Sequence, residues 1–397
     1  MRTVSPGSAN GRLHALMFIA MICIGSGLAH LGTSTLPFQI GAVIDASRHN
    51  AGEAGLFGFF ESAALSLGMV SISPWVDRLA PRRIAIIGCL FSALANAGLF
   101  VTVDLPLQLT LAAIAGVGYG LVFAATVAGA AAAREPDRLY AIGNGGALLL
   151  IVGVMVLLPL SGSLLGPLGI FAAFAAFSVL CCPFFFTLKN GRRTVESGIA
   201  AWRIPGARGL LFAWVAYSAG TGATYAFSER IGRDIELPAS QIAGVLSAGM
   251  FVGLIGTSAA AILGRRVNRP WALVIGMTGS GLSCVALGYA TNLIMFAGDV
   301  FAYWIFCMFL YSYWLGTAAL LDPGGRIGTL GGGLEKLGVG AGVFAAGVLA
   351  KHTTYSSTGL LGFGSCLLGL TLGFPSLFCA LRRNSKAALS APSTVTP

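Results

Sequence analysis

The sequence predicts an all-α integral membrane protein with twelve transmembrane helices. Of its 397 residues, 56% are hydrophobic and only 10% are charged, whereas an average soluble domain has about 25% charged residues. The mean hydropathy is +0.84. A soluble core of this size cannot hide so much apolar surface, so we expect lipid to be the solvent for most of the chain.

A helix that crosses the hydrocarbon layer needs about 20 mostly apolar residues. The first apolar run is much longer than the ~7–15 residues found in a cleavable signal peptide, so we interpret it as a span. With it, the predicted spans are residues 13–43, 54–74, 83–103, 107–133, 140–163, 167–188, 208–228, 240–263, 271–290, 293–320, 327–350 and 357–381.

The basic residues between these spans are distributed unevenly. With a cytoplasmic N-terminus, nineteen of the 24 lysines and arginines fall on the cytoplasmic side and four on the other, namely Arg48, Arg230, Arg233 and Lys351, while Lys336 lies within a span. Cytoplasmic loops carry such an excess. We therefore expect both termini in the cytoplasm and the chain in the plasma (inner) membrane. The scattered charge does not form the contiguous basic face of a nucleic-acid partner.

The longest polar loop divides the spans into two sets of six. We predict an N-terminal six-helix bundle at residues 1–188, a cytoplasmic linker at 189–207, and a C-terminal bundle with a short basic tail at 208–397.

A short motif occurs once in each half. Trp75-Val-Asp-Arg-Leu-Ala-Pro-Arg-Arg follows the second span, and Ile262-Leu-Gly-Arg-Arg-Val-Asn-Arg-Pro follows the eighth. The two copies align without gaps at an offset of 187 residues. Duplicated halves are a common way to build transporters.

The first copy resembles the signature Gly-x-x-x-Asp-Arg-x-Gly-Arg-Arg of the major facilitator superfamily. The Asp-Arg pair and the distal Arg pair are present, but Ser73 replaces the leading Gly, the spacer is one residue longer, and Pro81 stands where Gly is usual. With the twelve spans and the halfway loop, the resemblance covers essentially the whole chain. It implies two pseudo-symmetric six-helix bundles and secondary transport by alternating access.

The same resemblance implies a conformational latch on the cytoplasmic side. The alternative is that these charges only set the topology, although an acidic residue adds nothing to a positive-inside bias. The residues expected to form the latch are Asp77, Arg78, Arg82 and Arg83.

Ionisable residues within spans are costly and are functional candidates by default. Glu61 lies inside the second span, where burial penalises its charged form, so we expect it to take up a proton. His30 lies in the first span and can meet Glu61 as an acid–imidazole pair. Glu335, in the eleventh span, is the second candidate carboxyl. For each residue a purely structural role is the alternative.

Other polar and aromatic residues are candidates for a substrate cavity. Lys336 follows Glu335 and points about 100° away from it on a helix, so it can meet an anionic substrate or Glu61, or pair structurally with Glu335. The seventh and tenth spans supply the remaining candidates Tyr217, Thr221, Asp299, Tyr303 and Trp304.

We therefore expect a proton-coupled carrier of a small organic solute, with uptake of an organic or aromatic anion favoured. Efflux of amphipathic compounds by proton antiport is the alternative, and a non-transporting receptor is a remote one. The sequence contains no catalytic HExxH or GxSxG motif, and its eight cysteines lack metal-site spacing. We expect no enzyme activity, no metal and no cofactor beyond a proton gradient. The expected partners are the lipid bilayer and the substrate, and the expected state is a monomer.

Overall fold

The structure is a computed structural model, and it describes residues 9–47, 49–72, 80–131, 136–188, 202–263, 267–322 and 326–390. Within these ranges the chain forms helices and their connections, and no strand is present. Eleven helical segments there are long and apolar enough to cross a membrane. A further helix of 20 residues, Ala207–Ala226, takes the place of the predicted seventh span. The predicted twelve-span architecture is confirmed.

The first six spans are built from seven α-helices and a short 3-10 helix. The α-helices are α1 (Ala9–Ser34), α2 (Leu36–Ser47), α3 (Ala51–Ile72), α4 (Pro81–Val101), α5 (Leu105–Ala131), α6 (Pro136–Leu165) and α7 (Gly169–Cys181), which continues as the 3-10 helix Cys182–Thr187.

The second set of six spans contains eight α-helices and one π-helical turn. They are α8 (Ala207–Ala226), α9 (Ser228–Asp234), α10 (Ala239–Leu263), α11 (Arg269–Gly288), α12 (Leu293–Leu321), α13 (Arg326–His352), α14 (Ser357–Leu368), the π turn Gly369–Gly373 and α15 (Phe374–Ser390).

The first span is interrupted, so its prediction as one continuous helix over 13–43 was wrong. The break falls at Thr35, two residues before Pro37. Proline has no backbone N–H and its ring clashes with the preceding turn, so a helix cannot run through it undisturbed. The Thr35 hydroxyl donates to the Leu31 carbonyl oxygen at 2.7 Å and caps the end of α1.

Proline also accounts for the irregular last span. The predicted helix over 357–381 contains the π turn Gly369–Gly373, which ends just before Pro375. Pro375 cannot donate to the carbonyl of Thr371, and a local π turn is a common way to absorb such a defect.

The helix packing is the same in the two halves. In the first half α1 packs on α6, α3 on α5, α4 on α5, and α4 on α7. In the second half α8 packs on α13, α10 on α12, α11 on α12, and α11 on α14. These pairs occupy equivalent places in the order of spans, which confirms two pseudo-symmetric six-helix bundles. The predicted linker 189–207 lies mostly outside the described residues, so the bundle boundaries stay a prediction.

The two halves meet through α3 with α13 and through α6 with α10. In the α3–α13 contact a Cβ on Gly347 would collide with the Ala51 carbonyl oxygen, and a Cβ on Gly55 would lie 2.9 Å from the Val343 carbonyl oxygen. Further along, the Ser66 hydroxyl donates to the Gly333 carbonyl at 2.7 Å. Small residues allow this close approach, which matters where lipid removes the hydrophobic drive between helices.

Candidate functional site

Glu61 is buried inside the first half. It lies on α3 and is only 2% exposed. A Cβ on Gly32 of α1 would collide with its Oε1, and the Gln39 amide of α2 donates to the same oxygen over a long 3.5 Å. Among the described residues, the other oxygen, Oε2, has no hydrogen-bond partner. A buried carboxylate with so few donors is poorly solvated, so this site suits a neutral acid better than an anion.

Tyr119 of α5 completes the surroundings of Glu61. The two side chains are close enough to interact electrostatically. The Tyr119 hydroxyl accepts a hydrogen bond from the Asn96 amide at 2.9 Å, and the same amide donates to the Ser92 carbonyl at 2.7 Å. The carboxyl is therefore enclosed by helices of one half.

His30 does not pair with Glu61, so the expected acid–imidazole pair is wrong for this structure. Gly32 is the residue of α1 that faces Glu61, and positions i and i+2 of a helix point about 200° apart. The His30 ring packs edge-on against Phe123, with centroids 5.3 Å apart. His30 is also within electrostatic reach of Lys336 in the other half.

Glu335 and Lys336 form the ion pair that was one of the sequence alternatives. Lys336 Nζ lies 3.0 Å from Glu335 Oε1, and each side chain is 15% exposed. Lys336 shares its helix face with Gly333 and Gly340, which both contact α3. The lysine therefore points towards the first half, where it is close enough to His30 to interact electrostatically.

Glu335 lies on a different face of α13 from Lys336. On that face Gly338 and Gly342 pack against the backbone of α8. The carboxylate is close enough to Tyr311 and Cys307 of α12 to interact with them electrostatically.

The predicted cavity residues of α8 and α12 contact one another. The Tyr303 hydroxyl donates to the Thr221 carbonyl at 3.2 Å, and the Thr221 hydroxyl donates to the Tyr217 carbonyl at 3.0 Å. The hydroxyls of Tyr217 and Ser280 lie 3.5 Å apart. Tyr303 also stacks on Tyr225, with centroids 5.8 Å apart and ring planes 8° apart. These residues form an aromatic wall between the two helices.

Trp304 and Asp299 lie at the edge of this wall. The Trp304 ring meets Tyr225 edge-on at 5.4 Å. Its indole Nε1 is buried and, within the described ranges, has no hydrogen-bond partner. Asp299 precedes it on α12 by little more than one turn and is partly buried. A buried indole N–H without an acceptor is costly, so it can favour a ligand that supplies one.

A charged cluster joins the two halves at the end of the molecule where α2 ends and α9 begins. We call this the Asp45 end. Arg230 of α9 donates from Nη1 to Asp45 Oδ1 at 2.8 Å and from Nη2 to the Gly41 carbonyl at 2.6 Å. Its Nε lies 2.9 Å from Glu229 Oε2. The Tyr225 hydroxyl donates across the halves to the Ser34 carbonyl at 2.7 Å. These contacts close the Asp45 end, and we call the Asp45–Arg230 pair the gate.

The groups around Arg230 stabilise its positive charge. Burial lowers its pKa, but the hydrogen bond to Asp45 and the charge of Glu229 raise it by more, so the pKa lies above its ordinary value. Arg233 also contacts Glu229, at 2.9 Å, but is far more exposed than Arg230. The Glu229 carboxylate is thus held between two guanidinium groups.

Sequence reasoning missed this cluster. The distribution of charge gives Arg230 and Arg233 a topological meaning only, and it gives Asp45 no role. A usable signal was present, because Asp45 and Arg230 stand at equivalent ends of the first and seventh spans and have opposite charges. Gln39 was also missed, since a glutamine in a span carries no charge to draw attention.

Part of the predicted latch lies outside the described residues, namely Asp77 and Arg78. Of the other two, the Arg82 guanidinium lies over the Phe186 ring at 4.5 Å, and Arg83 is exposed. The ring contact stabilises the cation by cation–π attraction.

An open groove of about 510 Å³ between α13 and α14 is separate from these residues. It is lined by Leu349, Ser357, Leu360, Leu361, Gly364, Ser365 and Leu368. None of the predicted site residues contributes to it, and its apolar lining suits lipid. In the part of the chain that the structure describes, no group of three His, Cys, Asp or Glu side chains is arranged to hold a metal ion.

Two related six-helix halves, buried charges near their centre and contacts closing one end define a secondary transporter. The family model described as Major Facilitator Superfamily matches residues 22–332, and the chain belongs to this family. A crystal structure of the nucleoside transporter NupG matches with a TM-score of 0.73 and 13% sequence identity, covering 91% of this chain and 99% of that one. At this identity the likeness shows the fold. No curated protein matches the sequence.

Proposed function

We propose that this transporter couples the movement of a small organic solute to the movement of protons, with Glu61 as the coupling carboxyl. The observation that carries the proposal is the burial of Glu61 with one weak donor and one unpaired oxygen. A charge so placed is expensive, whereas a neutral acid is not. Proton binding and release at Glu61 therefore change the free energy of the helix arrangement that buries this side chain. Glu335 is the second candidate, and its Oε1 lies 3.0 Å from Lys336 Nζ.

The substrate we favour is an organic anion, taken up into the cell. Lys336 has three N–H donors, and Glu335 accepts one of them. His30 adds a second basic group within electrostatic reach of Lys336. The aromatic wall and Trp304 at its edge supply flat apolar surfaces next to polar atoms. An anion that carries an aromatic ring suits both features.

A nucleoside is the second candidate substrate. The shared fold with a nucleoside transporter suggests this class, and the stacked pair Tyr225–Tyr303 shows that rings in this region accept face-to-face contacts. A base needs such contacts together with hydrogen bonds, which Trp304 and Thr221 can supply. Efflux of amphipathic compounds by proton antiport stays as the alternative direction of transport.

The cellular setting follows from the same proposal. We propose that the chain works as a monomer in the plasma (inner) membrane, with both termini and the latch residues on the cytoplasmic side. The Asp45 end then faces outwards, and the contacts that close it correspond to a carrier closed to the outside.

The test is uptake by purified protein in proteoliposomes, with and without an inward proton gradient. The panel contains aromatic carboxylates, nucleosides and amphipathic cations. We expect the gradient to drive accumulation of an aromatic carboxylate, and Glu61→Gln to abolish that accumulation while leaving exchange of substrate across the membrane. Glu236→Gln is the matched control, because Glu236 is exposed. Full accumulation by Glu61→Gln would refute the assignment. Gradient-driven accumulation of nucleosides or export of amphipathic cations would select the other candidates.

A further inference from the structure

The half-helix α2 carries two kinds of contact at its two ends. Gln39, in its first turn, reaches the buried Glu61. Gly41 and Asp45, further along, hold Arg230 of the other half. Gln39 and Asp45 are six residues apart, which is about 9 Å along a helix. The proton site and the gate are therefore joined by one short rigid element.

The amide of Gln39 is shared among three acceptors. Its Nε2 lies 2.8 Å from the Gly32 carbonyl oxygen, 3.2 Å from the Thr35 hydroxyl and 3.5 Å from Glu61 Oε1. An amide nitrogen has two N–H donors, so the three acceptors compete. In this structure the backbone at the break between α1 and α2 has the shortest contact, and Glu61 has the longest.

The charge of Glu61 decides this competition. Hydrogen bonds to ionised groups are roughly twice as strong as those between neutral groups. A carboxylate at Glu61 therefore draws the Gln39 amide away from Gly32, while a carboxylic acid leaves it there.

The break at Thr35 lets α2 respond separately from α1. On one side of it, Tyr225 holds the Ser34 carbonyl; on the other, Arg230 holds Gly41 and Asp45. A Cβ on Gly41 would lie 2.7 Å from Glu229 Oε2 and 2.9 Å from Arg230 Nη2. The gate therefore tolerates little displacement of α2.

We propose that Gln39 is a positioning residue that couples the protonation of Glu61 to the Asp45–Arg230 gate, with α2 as the moving part. The inference rests on the proton site proposed above. When Glu61 binds a proton, the Gln39 amide donates to the Gly32 carbonyl at the break in the first span. The α2 helix then moves so that Asp45 pairs with Arg230 and the gate closes. Loss of the proton pulls Gln39 towards Glu61 and separates Asp45 from Arg230. This order of events, proton binding first and closure of the Asp45 end second, is the one needed by a carrier that takes its proton from the outside.

Other titratable and charged groups lie on the elements that pack around this region. They are Tyr119 of α5, His30 of α1, the Glu335–Lys336 pair of α13, and Glu229, Arg233 and Asp234 beside Arg230 on α9. His30 points about 200° away from Gly32 on α1, so a change at His30 does not act through Gln39. Variants at Gln39 and at Glu61 therefore separate the proposed path from these groups.

The test is hydrogen–deuterium exchange by mass spectrometry on the full-length protein in lipid nanodiscs. Deuterium uptake by the backbone amides of residues 36–47 is followed from mildly acidic to mildly alkaline pH. The labelling times are scaled to correct for the intrinsic chemical exchange rate of amides, which itself rises with pH. We expect exchange in the native protein to rise with pH by on the order of tenfold, a usual size for coupling between two sites. Glu61→Gln should hold the segment protected at every pH.

The variant that decides the role of Gln39 is Gln39→Met, which keeps the side-chain volume and removes both donors. We expect it to lose the pH response although Glu61 and the gate are intact. Gln39→Asn keeps the amide but shortens its reach by one methylene, and it should lose the response too, which guards against a folding defect in the first variant. Gln241→Ala, at an exposed glutamine, should keep the native profile.

The outcomes separate this inference from the proposed function. If Gln39→Met or Gln39→Asn is folded and keeps the native pH profile, the coupling role is refuted while the proton site stands. The same holds if the native protein shows no pH response but Glu61→Gln abolishes proton-driven accumulation. If Glu61→Gln accumulates substrate normally, the proton site itself is refuted, and the coupling falls with it.

Discussion

The Asp45 carboxylate lies 2.8 Å from the Arg230 guanidinium and joins the last turn of α2 in one half to α9 in the other. Arg230 is largely buried, and its second carboxylate partner, Glu229, is only 5% exposed. The pair therefore links the two halves of the transporter through a buried cation and a carboxylate whose side chain is 44% exposed.

Removing the cation of this pair should destabilise the closed state. Arg230→Gln leaves Glu229 buried with one partner fewer, and breaking a buried ion pair in this way costs about 3 kcal/mol. Asp45 is exposed enough for water to replace the lost contact. We expect a lower midpoint of thermal unfolding in lipid and faster leak of substrate. Arg233→Gln is the matched control, because the Arg233 side chain is half exposed, and its loss should cost below about 1 kcal/mol. Equal effects of the two variants would argue against a gate at Arg230.

Gly32 tests the packing around the proton site. A Cβ at this position would collide with Glu61 Oε1 and lie 2.9 Å from the Tyr119 ring. Gly32→Ala should therefore displace the carboxyl and cost ~1–3 kcal/mol, as is usual for overpacking. We expect slower proton-driven accumulation together with a lower unfolding midpoint.

A glycine in open space provides the comparison for Gly32. Gly153 lies on α6, and a Cβ added to it would meet nothing within 4 Å. Gly153→Ala should stay within about 1 kcal/mol of the native protein, because only helix propensity changes. An unaltered accumulation rate in Gly32→Ala would show that Glu61 is less confined than its contacts indicate.

The spans and the duplicated halves could be predicted from the sequence because hydropathy and the positions of basic residues report directly on the bilayer. The break at Thr35 could have been predicted as well, since Pro37 disrupts a helix wherever it lies inside one. A long apolar run hid it. The ion pair between Glu335 and Lys336 was among the sequence alternatives because the two residues are adjacent.

The contacts between helices could not be predicted in the same way. Whether Glu61 meets His30 or Gln39 depends on the rotation of α1 against α3, and each residue of shift turns a helix by about 100°. The sequence places His30 and Glu61 at similar depth, which is not enough to fix that rotation. The gate depends in addition on how the two halves sit together, and Arg230 alone gives no sign of Asp45 as its partner.

Lys336 tests the proposed recognition of an anion. Lys336→Gln removes the charge but keeps a polar side chain, and a hydrogen bond to a charged group is worth roughly 1.5–3 kcal/mol. We expect the KM for an aromatic carboxylate to rise by roughly tenfold to a hundredfold, with a smaller effect on an uncharged substrate. The readout is initial uptake in proteoliposomes.

Two further variants control for the partner and for charge. Glu335→Gln combined with Lys336→Gln removes both members of the pair, so a rise in KM in the double variant reflects the lost cation and not an unpaired carboxylate. Lys351→Gln, at an exposed lysine near the end of α13, should leave KM unchanged. If Lys336→Gln raised KM equally for charged and uncharged substrates, the lysine would have a structural role only.

Tyr225 offers a milder test of the closed state than Arg230 does. Its hydroxyl donates to the Ser34 carbonyl at 2.7 Å, one residue before the break in the first span. Tyr225→Phe removes this one hydrogen bond and keeps the ring that stacks on Tyr303. A hydrogen bond of this kind contributes about 1 kcal/mol, so exchange of the backbone amides in α2 should rise by about fivefold. Tyr289→Phe, at an exposed tyrosine, should leave it unchanged. The same amide exchange in Tyr225→Phe as in the native protein would mean that the bond across the halves does not help to hold the Asp45 end closed, and the closure would then depend on Arg230 and the glycine contacts of α3 with α13.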